Sequence, residues 1–214
     1  IGAQSLGGVL VPLNTRLKGA EAAYILRASG ARLLFTVDEF LGVNYPEQLQ
    51  GHDLPALEQV VLLSGTLAGS TGWDEFLRAG ENIAAEAVAR CVAELSPEDT
   101  LDILFTSGTT GAPKGVVTCH GQNIRTFETW SATVGLRSDD NYLIINPFFH
   151  SFGYKAGWLA AIIRGARMLP VKSFNLDEVL ALISRERISM IPGPPTIYQS
   201  LLAHPRRREY DLSS

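Results

Sequence analysis

The chain has 214 residues, 46% of them hydrophobic and 19% charged, enough apolar content for a sizeable core in one large domain or two small ones. Its net charge of -4 and pI near 5.6 argue against nucleic acid or an anionic membrane as the main partner. Two cysteines, Cys91 and Cys119, in no metal-ligand spacing exclude a disulfide framework and point to a reducing, cytoplasmic compartment.

The opening stretch 1–10 reads as the end of an apolar, glycine-bearing helix, and 11–17 as an extended link. A helix is expected over 19–29, with Ala22, Ile25, Leu26 and Ser29 on one face and Gly30 as its stop. Residues 32–37 read as a buried strand, and 38–57, broken by Pro46 and Pro55, as loop and short helix. A second short strand is expected at 60–63, a turn-rich stretch at 64–72, helices at 73–79 and 82–95, and a connection at 96–99.

Past residue 100 an apolar strand leads into a loop, and 115–118 pairs back. The remaining expectations are helices at 120–134, 154–164, 176–186 and 195–203, and strands at 141–146, 167–169 and 188–191. Strands alternating with helices of this length imply an α/β fold, a parallel sheet with helices on its faces. The longest apolar run, 158–163, stops at Arg164, far short of a membrane span, so stable membrane insertion is not expected. The start lacks a basic signal-peptide region and a methionine and opens in mid-pattern, which suggests a fragment. The basic run Arg206, Arg207, Arg208 is followed at once by Glu209 and Asp211 and reads as a solvated turn.

Two stretches carry chemistry. The first is the loop after the strand 102–106: Thr106, Ser107, Gly108, Thr109, Thr110, Gly111, Ala112, Pro113, Lys114, Gly115. Glycines let backbone N–H groups turn toward a polyanion, hydroxyls add donors, and Lys114 supplies a point charge. It is not a Walker A loop, because Pro113 precedes the lysine and Gly115 stands where the magnesium-binding hydroxyl belongs, so a P-loop kinase or GTPase is disfavoured. A Ser/Thr/Gly-rich hairpin loop with no ligand is the plain alternative.

The second stretch is Asn146, Pro147, Phe148, Phe149, His150, Ser151, Phe152, Gly153. One imidazole lies among aromatics just past a strand's carboxyl end, where open α/β sheets place their ligands, although a lone histidine is on general grounds more often structural. His52, His120 and His204 are far apart, so no zinc site is expected and no metal ligand is assigned. No G-x-S-x-G occurs, which removes the main support for an α/β-hydrolase.

The segment from Thr106 to Gly115 resembles the AMP-binding signature of the adenylate-forming enzymes: acyl-CoA synthetases, luciferases and peptide-synthetase adenylation domains. The resemblance implies parallel-sheet αβα layers of an incomplete N-terminal domain, with 1–98 in a first subdomain portion and 99–214 carrying the phosphate loop and part of a second. It implies ATP, Mg2+ and coenzyme A as cofactors or co-substrates and a small carboxylic acid as partner, and it leaves a homo-oligomer open. Thr106, Ser107, Gly108, Thr109, Thr110, Gly111, Lys114 and Gly115 would bind the nucleotide phosphates. Lys114, Thr110 and His150 would be catalytic, and His150, Phe152 and Gly153 would line the acyl site.

Peptide-synthetase domains of this family usually carry Phe-Asp where His150-Ser151 stands, so an acyl-type acid is favoured over an amino acid. Residues 146–157 and 191–201 further resemble actinobacterial ligases that activate a bicyclic propanoate from steroid ring degradation. The stretch 193–198 then borders the acyl pocket, or is simply a Pro/Gly strand-to-helix turn. The family's downstream adenine-binding glutamate, ribose-binding aspartate and mobile C-terminal lid with its lysine have no counterpart here, so these 214 residues alone are expected to be inactive. A truncated module that binds nucleotide or acyl groups without turnover is the alternative.

Overall fold

A computed structural model describes residues 1–106 and 111–214, and the chain divides into two compact units, Ile1–His120 and Gly121–Ser214. The first begins with a short helix α1 (Gly2–Ser5) and the longer α2 (Gly19–Ser29). The Lys18 N–H donates to the Glu21 carboxylate at 2.9 Å, which satisfies one of the entry amides of α2. At its other end Gly30 takes φ 63, the left-handed conformation that lets its N–H turn back to the Arg27 carbonyl. The buried face is Ala23, Ile25 and Leu26, which overlaps the expected stripe but takes Ala23 in place of Ala22.

Strands β1 (Leu33–Thr36), β4 (Gln59–Leu62) and β5 (Thr71–Gly72) form a parallel sheet in the order β1-β4-β5. Val61 and Leu62 are buried in the central strand, whereas Leu33 is 47% and Phe35 40% exposed. The expected burial of 32–37 therefore holds only for Leu34, because among the described residues β1 has a neighbouring strand on one side alone. Between them, the stretch expected as loop and short helix contains a hairpin of β2 (Glu39–Phe40) and β3 (Val43–Asn44), followed by α3 (Tyr45–Gln48). Leu41 and Gly42 both have positive φ, 53 and 76, the backbone of a tight primed turn, and a leucine gives no sequence sign of it. Helices α4 (Trp73–Gly80) and α5 (Ala85–Glu94) follow, with Phe76 packed edge-on against Phe35 at 5.2 Å.

β6 (Thr100–Thr106) and β7 (Lys114–Cys119) pair antiparallel, and Leu10 bridges to Asp102 on the other side of β6. Both strands lie in the first unit, which ends at His120.

The second unit contains nearly all of α6 (His120–Thr133), then β8 (Asn141–Ile144), a π-helical segment Phe152–Leu159 continuous with α7 (Ala160–Arg164), β9 (Arg167–Pro170), α8 (Leu176–Glu186) and α9 (Pro195–Ala203). β8 pairs parallel with β9 on one side and makes a single parallel bridge, Tyr142 to Met190, on the other. The strand expected at 188–191 is no more than that bridge; Pro192 has no N–H to extend a ladder.

Alternation along β8 builds two cores. Tyr142 and Ile144 pack with Leu136, Ala160 and Ala161 on one face, and Leu143 packs with Val179, Leu180, Ile183 and Leu201 on the other. This is an αβα sandwich within one unit. Burial pushes the Tyr142 phenol well above its ordinary pKa, with the Tyr198 phenol adding to the effect, so it stays protonated and donates to the Ala156 carbonyl at 2.6 Å.

Glu186, at the end of α8, accepts from Arg185 at 2.9 Å and from Arg167 of β9 at 2.7 Å. These bonds, Arg185's first, hold its carboxyl below the ordinary carboxylate pKa. Such a shift stabilises the fold fully above the ordinary value and is lost as pH falls through the lowered one. Urea unfolding of Glu186→Gln should therefore show a deficit at pH 7 that closes in acid; a deficit equal at both pH values would assign Glu186 to packing instead.

No helix among the described residues is long and apolar enough to cross a membrane.

Candidate functional site

β6 leads into the segment expected to bind phosphate and β7 follows it. Their register is Ile103 to Val117, Leu104 to Val116, Phe105 to Gly115 and Thr106 to Lys114, so Thr106 and Lys114 face each other at the mouth of the loop. The Thr106 hydroxyl donates to the Lys114 carbonyl at 3.4 Å and is thereby engaged in closing the hairpin. Lys114 is exposed and opens β7. Gly111 has φ 156, a conformation that side-chain-bearing residues rarely adopt.

Gly115 lies in the strand itself, where a Cβ would meet Ile103 at 2.8 Å and Phe105 at 3.2 Å, so its small size keeps the hairpin tight. Ser107, Gly108, Thr109 and Thr110 lie outside the described residues.

Two further side chains hold this hairpin, and neither was singled out as a functional residue from the sequence. The Tyr24 hydroxyl of α2 donates to the Pro113 carbonyl at 3.2 Å. The Thr118 hydroxyl donates to the Asp102 carboxylate at 2.7 Å, and Asp102 is fully buried. An acid inside an apolar strand is a visible anomaly in the sequence, but only the fold brings Tyr24 to the loop.

The second constellation follows β8 in the second unit. His150 is exposed, and its Nδ1 accepts from the Phe152 N–H at 3.3 Å. A neutral imidazole engaged this way carries its proton on Nε2, which is left to donate outward. The His150 N–H donates to the Pro147 carbonyl at 3.1 Å and its carbonyl accepts from the Tyr154 N–H at 2.9 Å, so the turn is locked into the segment that follows.

That segment was expected to be an ordinary helix from 154. It is instead a wide π-helix from Phe152 to Leu159, a form that concentrates at functional sites. Gly153 is buried where a Cβ would collide with the carbonyl oxygens of Asn146 and Pro147. Phe152 is half-buried and edge-on to Trp130 at 6.4 Å. Lys155, which sequence reasoning passed over, is 5% exposed, with its ammonium 5.7 Å from the centre of the Tyr154 ring. A single lysine in the apolar run 152–163 was the sign that could have drawn attention to it.

The residues expected to bind phosphate thus belong to the first unit and His150, Phe152 and Gly153 to the second. Among the described residues no group of three or more His, Cys, Asp or Glu side chains gathers to hold a metal ion.

The family model described as AMP-binding enzyme matches residues 1–214. A relative from Mycobacterium tuberculosis, named 3-(7a-methyl-1,5-dioxo-octahydro-1H-inden-4-yl)propanoyl:CoA ligase with stereochemistry 3aS,4S,7aS, is 49% identical over 208 residues, 97% of this chain and 41% of the relative. A Rhodococcus jostii relative of the same name is 43% identical over 221 residues, 100% of this chain and 43% of the relative. The chain therefore spans about two fifths of the length of these curated relatives.

Among solved structures, the anthranilate CoA ligase AuaEII in complex with anthranoyl-AMP superimposes with TM-score 0.81 at 30% identity, over 98% of this chain and 39% of that one. The N-terminal domain of FACL13 from Mycobacterium tuberculosis gives TM-score 0.76 at 27% identity, over 99% of this chain and 50% of that one. With the glycine-and-hydroxyl loop closing on Lys114, and a match running the full length of the chain, the protein belongs to the AMP-binding enzyme family.

Proposed function

We propose that this chain is part of an ATP-dependent carboxylate:CoA ligase, an acid–thiol ligase working through an acyl adenylate. The observation that carries the reading is the family match across residues 1–214, with Lys114 placed at the exit of the signature loop. In the first half-reaction a carboxylate oxygen forms a bond to the α-phosphorus of ATP while the bond from that phosphorus to the bridging oxygen breaks, and pyrophosphate leaves. In the second, the sulfur of coenzyme A bonds to the acyl carbon, the carbon–oxygen bond to AMP breaks, and the thiol proton goes to solvent.

The first step brings two anions together and needs positioning and charge neutralisation more than covalent catalysis. Ser107, Gly108, Thr109, Thr110 and Gly111 would hold the β- and γ-phosphates with N–H and hydroxyl donors. Lys114 would offset the charge of the leaving pyrophosphate. The Nε2–H of His150 would donate to the incoming carboxylate or close the acyl site beside Phe152 and Gly153. The Mg2+ that the family resemblance implies finds no cluster of His, Cys, Asp or Glu ligands among the described residues.

For the substrate, the two relatives named for a bicyclic dioxo-indenyl propanoyl group support an alicyclic propanoate of steroid-ring origin, which would place the protein in lipid breakdown in the cytoplasm. His150-Ser151 supports an acyl-type acid over an amino acid, since it offers no anion to an α-ammonium group. Carboxylate-dependent exchange of labelled pyrophosphate into ATP, measured in the full-length protein, tests the reading. Bicyclic propanoates should support exchange at least about tenfold better than amino acids of equal size, the factor that an unpaired buried charge imposes at a minimum. Equal exchange with both would overturn the substrate assignment, and no exchange with any acid would overturn the ligase.

A further inference from the structure

We infer that Tyr24 and Thr118 are positioning residues for Lys114: two hydroxyls that pin the outgoing limb of the phosphate loop, one at its tip and one at its base. The inference rests on the ligase reading and adds to it the side chains that place the lysine.

The tip is held from α2. Tyr24 lies 89 residues away in sequence from Pro113, yet its hydroxyl donates to the Pro113 carbonyl at 3.2 Å. That carbonyl and the Lys114 N–H share one planar peptide unit, so fixing the oxygen fixes the plane from which Lys114 departs. Proline adds to this by holding its own φ near one value. The residue just ahead of the lysine is thus restrained from both the chain and the neighbouring helix.

The base is held within the hairpin. The ladder of β6 and β7 is irregular between Thr100 and Asp102, which is where its register could slide. At that point the Thr118 hydroxyl donates to the buried Asp102 side chain at 2.7 Å, a hydrogen bond across the two strands. Leu10 locks the far side of the same strand, with the Ile103 N–H donating to the Leu10 carbonyl at 2.9 Å.

From Asp102 and Thr118 the register runs in phase to Thr106 and Lys114. A slip of one residue would turn the Lys114 side chain to the opposite face of the hairpin. The two hydroxyls therefore decide where the ammonium stands by way of the Pro113 carbonyl and the Asp102 carboxyl group.

The test uses pyrophosphate exchange in the full-length protein, with ATP and the carboxylic acid titrated separately. Tyr24→Phe and Thr118→Val each delete one hydroxyl at nearly constant shape, and each should raise KM for ATP about fivefold, the worth of one hydrogen bond. KM for the acid should stay within about twofold. Thr118→Ser keeps the hydroxyl and should restore the wild-type KM for ATP to within about twofold.

Wild-type KM for ATP in both deletion variants, alongside loss of exchange in Lys114→Ala, would overturn the positioning role and leave the ligase reading standing. An equal rise in KM for ATP and for the acid would also overturn it, as a general loosening. Absence of exchange in the wild type would remove the reading and the inference together.

Discussion

Replacing Lys114 by alanine in the full-length protein should cut carboxylate-dependent pyrophosphate exchange by roughly a hundredfold to a thousandfold, partly as a raised KM for ATP, while leaving acyl binding within about twofold, the pattern left by loss of a charge that holds the triphosphate in the bound state and more strongly in the transition state. Lys114 is exposed at the start of β7, opposite Thr106, and no ion pair among the described residues engages it. Truncation should therefore leave the hairpin intact, because the Thr106 bond goes to the Lys114 backbone carbonyl and survives the change. Arginine at 114 should recover only part of the rate, since a planar fork does not reproduce a compact ammonium at the same point. Exchange unchanged in Lys114→Ala would remove the lysine from the chemistry.

The second large effect is structural. Gly153→Ala should destabilise the second unit by about 3 kcal/mol, the upper end of the cost of overpacking, because the added methyl meets the backbone carbonyl oxygens of Asn146 and Pro147, and relieving that clash means shifting the backbone. Those oxygens, on Asn146 and Pro147, belong to the turn that carries His150, so the lost stability should come with lost acid-dependent exchange. The same change at Gly80, which has open space around it at the end of α4, serves as the control and should be neutral or slightly stabilising. Denaturant unfolding of the two variants checks both. A loss at Gly153→Ala no greater than at Gly80→Ala would mean that the π-helical segment tolerates a side chain there.

How far the site was legible from residues alone can be judged from particular cases. The helices Gly19–Ser29, Leu176–Glu186 and Pro195–Ala203 match the expectation end to end, because each carries its own boundary signs. Gly30 ends the first in the left-handed conformation, the Asn175 side chain caps the second by accepting from the Glu178 N–H at 3.1 Å, and Pro195 opens the third. The hairpin at 39–44 was missed because its turn places Leu41 at φ 53, where glycine or asparagine would have announced it. The π-helical register of 152–159 was missed for another reason. Its apolar pattern is that of any buried helix, and the wider turn is supported by contacts from elsewhere, the Tyr142 hydroxyl on the Ala156 carbonyl and the close approach of Gly153 to Asn146 and Pro147.

The order of residues by itself determined the family and the α/β alternation, since these depend on local chemistry: which residues turn, which pair, which carry charge. Tertiary structure alone decided which hydroxyls hold the hairpin of β6 and β7, how the turn after β8 orients the imidazole of His150, and which strand faces stay open. Each of those outcomes is set by partners distant along the chain, as Tyr24 is from Pro113 and Tyr142 from Ala156. Local periodicity carries no information about which distant group will arrive to satisfy a given carbonyl, and that is why these features emerge only when the elements are packed.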